Sequence, residues 1–277
     1  MSSVRRLQYL EGLGLQAWRL RASGASQPLA AESAERPAQA SMRIAEPAIA
    51  RTPAVATPPA LALTAAAARV SGVREGASVP LRVPPELAAV DWHELRRRVA
   101  ACTACSLAAT RTQTVFGVGD VKARWLIIGE APGSEEDRRG EPFVGRAGLL
   151  LNSMLRALGL AREQVFIANI LKCRPPDNRD PKPEEARSCA GFLHRQIELV
   201  QPALLLAVGR IAAQNLLGTD QPLGRLRQIV HRFGPAQLPL LVTYHPAYLL
   251  RSPGEKRKAW EDLKLAKRVM ERGGSAS

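Results

Sequence analysis

Four short runs of apolar residues mark the second half of the chain: WLIIGE (125–130), VFIANIL (165–171), ALLLAVG (203–209) and LPLLVTYH (238–245). Each has the length of a strand and lacks the polar alternation of a half-exposed one, which predicts strands covered on both faces. Between them, apolar positions recur every three or four residues in GRAGLLLNSMLRALGL, PEEARSCAGFLHRQIELV and RIAAQNLLG, which predicts helices. An earlier helix, ELAAVDWHELRRRVAAC, leads into Cys102, and a basic amphipathic helix, PGEKRKAWEDLKLAKRVMERG, ends the pattern. The alternation implies an α/β fold: a central, mainly parallel four-stranded sheet flanked by helices. Each strand runs into a polar or glycine-bearing stretch: GEAPG, NILKC, VGR or YHP. Ligands of open α/β sheets bind beyond the carboxyl ends of the strands, so these four motifs converge on one cleft.

Upstream of residue 86 the pattern stops. Residues 24–85 contain 18 Ala and 9 Pro, and no aromatic side chain lies between Trp18 and Trp92. Such a segment has too little apolar bulk to offset the entropy of ordering, which predicts a flexible linker. Ahead of it, residues 1–23 place Leu7, Leu10, Leu15 and Trp18 at helical spacing. That short amphipathic helix either packs on the main domain or docks on a protein partner. The folded domain is read as residues 86–277.

Charge changes the picture. A formal net charge of +14 in 277 residues points to an anionic partner, nucleic acid or an acidic membrane surface. No apolar run approaches the length of a membrane span, and the N-terminus has no apolar core of a signal peptide, so no membrane-spanning helix and a cytoplasmic location are expected. In a reducing setting, metal ligation or burial is the main option for the four cysteines.

Those cysteines form a C-x2-C pair, Cys102 and Cys105, and a wider pair, Cys173 and Cys189. Four thiolates suit tetrahedral zinc or an iron–sulfur cluster, and spacing alone leaves the two even. Either would staple both ends of the loop CRPPDNRDPKPEEARSC. In that loop Arg174, Arg179, Lys182 and Arg187 alternate with prolines, which would present basic side chains to phosphates on a stiff backbone. His93, His194 and His231 stand in no motif and are read as structural.

GEAPGSEEDRRGEPFVGRAGLLLN, NILKCRPPDNR with its partner cysteine, and HPAYLLR together resemble the family 4 uracil-DNA glycosylases, from about Leu95 to the last helix. The resemblance implies a 4Fe–4S cluster on Cys102, Cys105, Cys173 and Cys189, and uracil-containing DNA, single- or double-stranded, as substrate. It implies that Phe143 stacks on the uracil ring, that Asn169 reads the pyrimidine edge and that His245 donates to uracil O2. Main-chain groups at Gly129, Glu130 and Ala131 would complete the cradle. Leu249 would be the wedge that fills the vacated base stack, and Arg251 would meet a phosphate. The best-known branch of the superfamily has an aspartate where this chain has Ala131, which leaves Glu130 and Glu136 as candidates for positioning the water. Glu136 is also the candidate for excluding the thymine methyl.

The implied activity is hydrolysis of the N-glycosidic bond of a flipped-out deoxyuridine, leaving an abasic site, by a monomer. No lysine stands in a motif as a Schiff-base nucleophile, so strand cleavage is not expected. The basic insert through which a related branch bonds covalently to uracil-DNA is absent between Arg174 and Pro183. Two other readings stand beside it: a non-catalytic binder of uracil-containing or damaged DNA, which Ala131 keeps open, and a metal-stapled nucleic-acid module.

Overall fold

The computed structural model describes residues 74–79, by their backbone, and 82–273. The helix expected within 1–23, its protein partner and most of the linker lie outside the described residues. Seven strands form one sheet: β1 (Arg74–Val79), β2 (Val118–Gly119), β3 (Trp125–Gly129), β4 (Phe166–Asn169), β5 (Leu204–Val208), β6 (Ile229–Phe233) and β7 (Leu238–Thr243). Their order is β1-β6-β7-β5-β3-β4-β2.

The four strands expected from the apolar runs are β3, β4, β5 and β7, and they pair in parallel at the centre of the sheet. The expected count of four is corrected to seven, because the three additional strands carry weaker patterns. β2 is two residues long and pairs antiparallel with β4. β6 includes His231 and Arg232 and returns antiparallel to β7 as a hairpin. β1, REGASV, falls inside the Ala/Pro-rich stretch read as linker and pairs in parallel with β6.

Helices cover both faces of the sheet. Alternate residues of the central strands point to opposite sides, as pleating requires. Leu126, Ile128, Ala168, Leu205, Ala207 and Val242 pack with residues of α5 (Pro183–Val200) and α6 (Arg210–Leu217). Trp125, Ile127, Ile167, Leu206, Val208 and Leu241 pack on the other side, with α4 (Arg146–Leu158) and α9 (Lys256–Gly273). Each fully buried Leu or Ile contributes roughly 1.5–3 kcal/mol, so this double-sided core fixes the strand register. The expected single helix before Cys102 is two helices, α1 (Pro85–Ala88) and α2 (Trp92–Ala100). Asp91 separates them, because its side chain accepts from the Glu94 amide at 2.8 Å and caps the second. The remaining helices are α3 (Ser134–Arg139), α7 (Leu223–Leu226) and α8 (Pro246–Arg251). Among the described residues no helix is long and apolar enough to cross a membrane.

Candidate active site and cysteine cluster

A cleft of about 450 Å³ opens beyond the carboxyl ends of the central strands. Its walls include Glu130, Ala131, Glu136, Phe143, Asn169 and His245, so side chains more than a hundred residues apart meet there. The meeting follows from register. Gly129 at the end of β3 pairs with Asn169 at the end of β4, and the chain after each strand turns into the cleft. Ile170 and Leu171 donate their amides to the carbonyls of Gly129 and Glu130 at 2.9 and 3.0 Å, which carries the pairing past the sheet.

Asn169 is 2% exposed, and its Oδ1 is buried without a hydrogen-bond partner. A buried acceptor left unpaired costs about 1–3 kcal/mol, which a ligand donor would recover. Gly129 makes room for this carboxamide. A Cβ there would lie 2.4 Å from Asn169 Oδ1 and 2.7 Å from the Phe143 ring, so residue 129 is a gap between the carboxamide and the aromatic ring.

Phe143 is held under constraint. Its φ is +53°, a left-handed conformation uncommon for a bulky residue. Two neighbours maintain it. Gly148 lets its carbonyl approach so closely that a Cβ there would sit 1.8 Å from the Phe143 oxygen. Glu136 Oε1 accepts from the amides of Val144 and Gly145 at 2.9 and 3.1 Å, and its Oε2 accepts from Gly133 at 3.2 Å. Glu136 also lines the cleft, and through these three amides its two oxygens fix the loop that carries Phe143. Arg162 supports the same loop, donating to Pro142 O at 2.6 Å and to Asn152 Oδ1 at 3.2 Å.

His245 caps α8. Its Nδ1 accepts from the Ala247 amide at 3.1 Å, so the ring proton resides on Nε2, a donor. Burial, and then the charge of Arg251, push its pKa down to about 4, so the ring is neutral near pH 7. The ring centroid lies 5.5 Å from that of Phe143, with the planes tilted by 32°. Gly209, at φ +103°, permits the approach, because a Cβ there would be 3.0 Å from that of His245.

Glu130 has a different environment. Burial, and then the charge of Asp180, raise its carboxyl to about 7, with Arg210 opposing. Asp180 and Arg210 are themselves paired at 2.7 Å. A carboxyl poised near neutrality in a cleft is suited to taking a proton. Ala131 also lines the cleft and offers no ionisable group.

The basic loop is more self-contained than its composition implies. Arg179 is bidentate to the buried Glu185, at 2.9 and 2.6 Å, and also donates to Asp180 O at 3.0 Å. It forms a clasp joining the loop to the start of α5, and it also lines the cleft. Arg174 Nε donates to Asn178 Oδ1 at 2.9 Å, and this arginine is not part of the cleft wall. Arg251 does line the cleft.

The expectation for Leu249 is corrected. It is 1% exposed and packed in the core against α4 and α9, so it cannot enter a base stack. The exposed apolar side chains of α8 are its neighbours Tyr248 and Leu250, each at 37%. Tyr248 lines the cleft and stacks on Tyr244 at 5.2 Å and 20°, and the Arg227 guanidinium lies 4.5 Å over the Tyr244 ring.

Cys102, Cys105, Cys173 and Cys189 all line one small cavity, with Arg111, Lys172 and Phe192 among its other walls. Arg111 donates to Cys173 Sγ at 3.1 Å, and the Lys172 amide donates to Cys189 Sγ at 3.3 Å. Such N–H···S contacts are the usual surroundings of a thiolate-held metal group. Among the described residues no group of three or more His, Cys, Asp or Glu side chains is placed to hold a single metal ion.

Several of these residues were not apparent in the sequence. Lys172, Asp180, Arg162 and Tyr248 belong to no spacing rule, and only the NILKC and HPAYLLR motifs that contain two of them gave any signal.

The fold is a doubly wound α/β sheet with a cleft at its strand ends, where an aromatic ring, a buried amide and an imidazole meet. Residues 116–264 match the family model described as the uracil DNA glycosylase superfamily, and the chain belongs to that superfamily. It is 43% identical over 178 residues to the type-4 uracil-DNA glycosylase of Archaeoglobus fulgidus, covering 62% of this chain and 89% of that protein. The type-4 uracil-DNA glycosylase of Thermotoga maritima is 42% identical, covering 64% and 93%. A type-5 uracil-DNA glycosylase of Thermus thermophilus is 34% identical, covering 47% and 68%.

Proposed function

We propose that this protein is a uracil-DNA glycosylase that hydrolyses the N-glycosidic bond of a deoxyuridine rotated out of the strand, releasing uracil and leaving an abasic site. The observation that carries the reading is the partnerless, buried Oδ1 of Asn169 beside Phe143 and His245. Uracil N3–H is the donor that acceptor lacks, while the Asn169 amide N–H2 donates to O4. Cytosine presents an acceptor at N3 and a donor at N4, the reverse of both, so it would leave two buried groups unpaired. Phe143 would cover the ring face.

As the bond from C1′ to N1 breaks, its electron pair goes to the base, and negative charge collects on O2. The Nε2–H of neutral His245 is a donor for that charge, and a donor aimed at a developing anion typically contributes about 2.7–4 kcal/mol. Water adds to C1′ and gives up a proton. Glu130, with its carboxyl near neutrality, is the group we assign to receive it, in place of the acid that Ala131 cannot supply. Uracil leaves as an anion and is protonated by solvent.

We assign the four cysteines to a 4Fe–4S cluster. In a cubane each thiolate binds a separate iron, so the sulfurs stand further apart than around one zinc ion, which suits ligands that ring a cavity. When bound, the cluster supplies a cross-link between the segment after α2 and the two ends of the basic loop. Uracil-containing DNA as partner accounts for the net positive charge, and a monomer in the cytoplasm is the setting we infer.

The test uses an end-labelled oligonucleotide with one uracil and a thymine control, treated with alkali after incubation. Cleavage at uracil alone supports the reading. No cleavage by protein that contains its iron and still binds uracil-DNA would favour the binder, the reading that Ala131 keeps open.

A further inference from the structure

Lys172 touches both the cysteine cavity and the strand that ends in Asn169. Its side chain is 1% exposed. Nζ donates to the main-chain oxygen of Asn169 at 2.9 Å and to Gln196 Oε1 at 2.6 Å. Gln196 is itself fully buried and anchored through Nε2 to Phe116 O at 2.9 Å. At the other end of the same residue, the Lys172 amide donates to Cys189 Sγ at 3.3 Å.

The oxygens that hold this ammonium are neutral. Among the described residues no carboxylate pairs with it, and the cavity it borders is lined by the sulfurs of all four cysteines. A buried cation without a counter-charge is costly, so the arrangement calls for net negative charge in the cysteine cavity. A cluster held by four thiolates carries that charge. On the other side, the Asn169 carboxamide oxygen has no bond of its own, so its angle in the cleft depends on how its peptide is held.

We propose that Lys172 is a positioning residue that couples the cysteine site to base recognition: it balances the charge of the bound cluster while pinning the Asn169 carbonyl, which fixes the carboxamide that reads uracil. The coupling rests on the uracil-glycosylase and iron–sulfur readings above. It predicts that the electrostatic state of the cluster is felt at the base, although the cluster does not touch the base.

The experiment compares iron-loaded wild-type protein with Lys172→Met and Lys172→Arg. Three quantities are read: iron per chain, the reduction potential of the cluster, and the Kd for a strand carrying non-cleavable 2′-fluoro-2′-deoxyuridine against a thymidine strand. Lys172→Met should bind the fluorouridine strand at least tenfold more weakly with the thymidine Kd unchanged, and its potential should fall, because removing a nearby positive charge disfavours the added electron. Lys172→Arg should keep the potential near that of wild type. Iron-loaded Lys172→Met with wild-type potential or wild-type uracil affinity overturns the proposal. If that variant does not fold with iron, Gln196→Glu sets a carboxylate against the ammonium from its far side. It should lower the potential and weaken uracil binding in the same direction, and no change in either overturns the proposal. Wild-type protein without iron, or without preference for the fluorouridine strand, would instead remove the readings on which it rests.

Discussion

Glu136 Oε1 accepts the amide of Val144 at 2.9 Å across eight residues of chain, and that bond sets the conformation of Phe143 immediately before it. The same carboxylate takes two further amides, at Gly145 and Gly133, so it acts as the hub of the turn that presents the aromatic face. Glu136→Ala would leave three amides without their acceptor, at about 1–3 kcal/mol for each that is cut off from water. We expect a lower Tm and a kcat/KM on uracil-DNA reduced by roughly 10- to 100-fold through misplacement of Phe143. Glu136→Gln, which keeps an acceptor for Val144 and Gly145, should recover most of both. Unchanged kcat/KM in the alanine variant would show that the turn holds without it.

Asn169→Ala removes the group proposed to read the base edge and should leave the sheet intact. Loss of hydrogen bonds to a buried polar edge is worth about 2–3 kcal/mol, or roughly 100-fold in kcat/KM. The pattern across bases is more telling than the size. Uracil cleavage should fall while residual binding to cytosine- and thymine-containing strands stays as it was. Equal losses on all three would indicate a collapsed cleft in place of a lost readout.

The pH profile should report Glu130. Its carboxyl is raised to about 7, and only the ionised form can accept a proton from water, so kcat/KM should rise with pH through that value and level off above it. Asp180→Asn removes a negative neighbour and frees Arg210, and both changes lower the Glu130 pKa, so the rise should move to lower pH. In Glu130→Gln the rise should disappear along with most of the rate. His245 adds no inflection in this range, because its pKa is pushed down to about 4. A profile in which Asp180→Asn shifts nothing would assign the inflection to another group.

How much of this was legible in the sequence depended on whether a feature is local. The apolar runs of β3, β4, β5 and β7 are buried on both faces, and such burial writes itself into consecutive residues. β6 was hidden because His231 and Arg232 interrupt its pattern, and β1 because its pairing with β6 holds a strand of weak composition. The site motifs were visible because chemistry requires particular side chains at strand ends. Leu249 was misread, and the internal bonds of Glu136 and Arg179 were not foreseen, for one reason: residue type and motif do not say which way a side chain faces or what it has already bonded. Arg179 has the charge to hold a phosphate, and it spends its guanidinium on Glu185.

The burial of Leu249 separates two roles that adjacent leucines could exchange. Leu249→Ala should destabilise the protein by about 2–5 kcal/mol, the usual cost of cutting a buried leucine, with activity per folded molecule little changed. Leu250→Ala and Tyr248→Ala remove exposed surface and should leave Tm nearly untouched. If the exposed apolar side chains of α8 fill the gap left by the rotated base, these two variants should lose more activity on duplex than on single-stranded substrate, because only a duplex resists extrusion through pairing. Equal losses on both substrates would confine Tyr248 and Leu250 to gripping the strand.

Removing a cysteine ligand should be felt at a distance. Cys102 follows α2, far in sequence from the cleft, yet it shares a cavity with Cys173 and Cys189, which bracket the loop containing Asp180. Cys102→Ala should lose iron and the visible charge-transfer absorbance that a closed-shell zinc site lacks. Without the cross-link, the 174–188 loop gains conformations, and Asp180 no longer stands reliably beside Glu130. The variant should therefore show a lower Tm, faster proteolysis within that loop and a pH profile whose rise lies below that of wild type. Zinc in place of iron in the purified wild type would overturn the cluster assignment and leave the staple. Full stability and an unchanged profile in metal-free Cys102→Ala would show that the Arg179–Glu185 clasp holds the loop on its own.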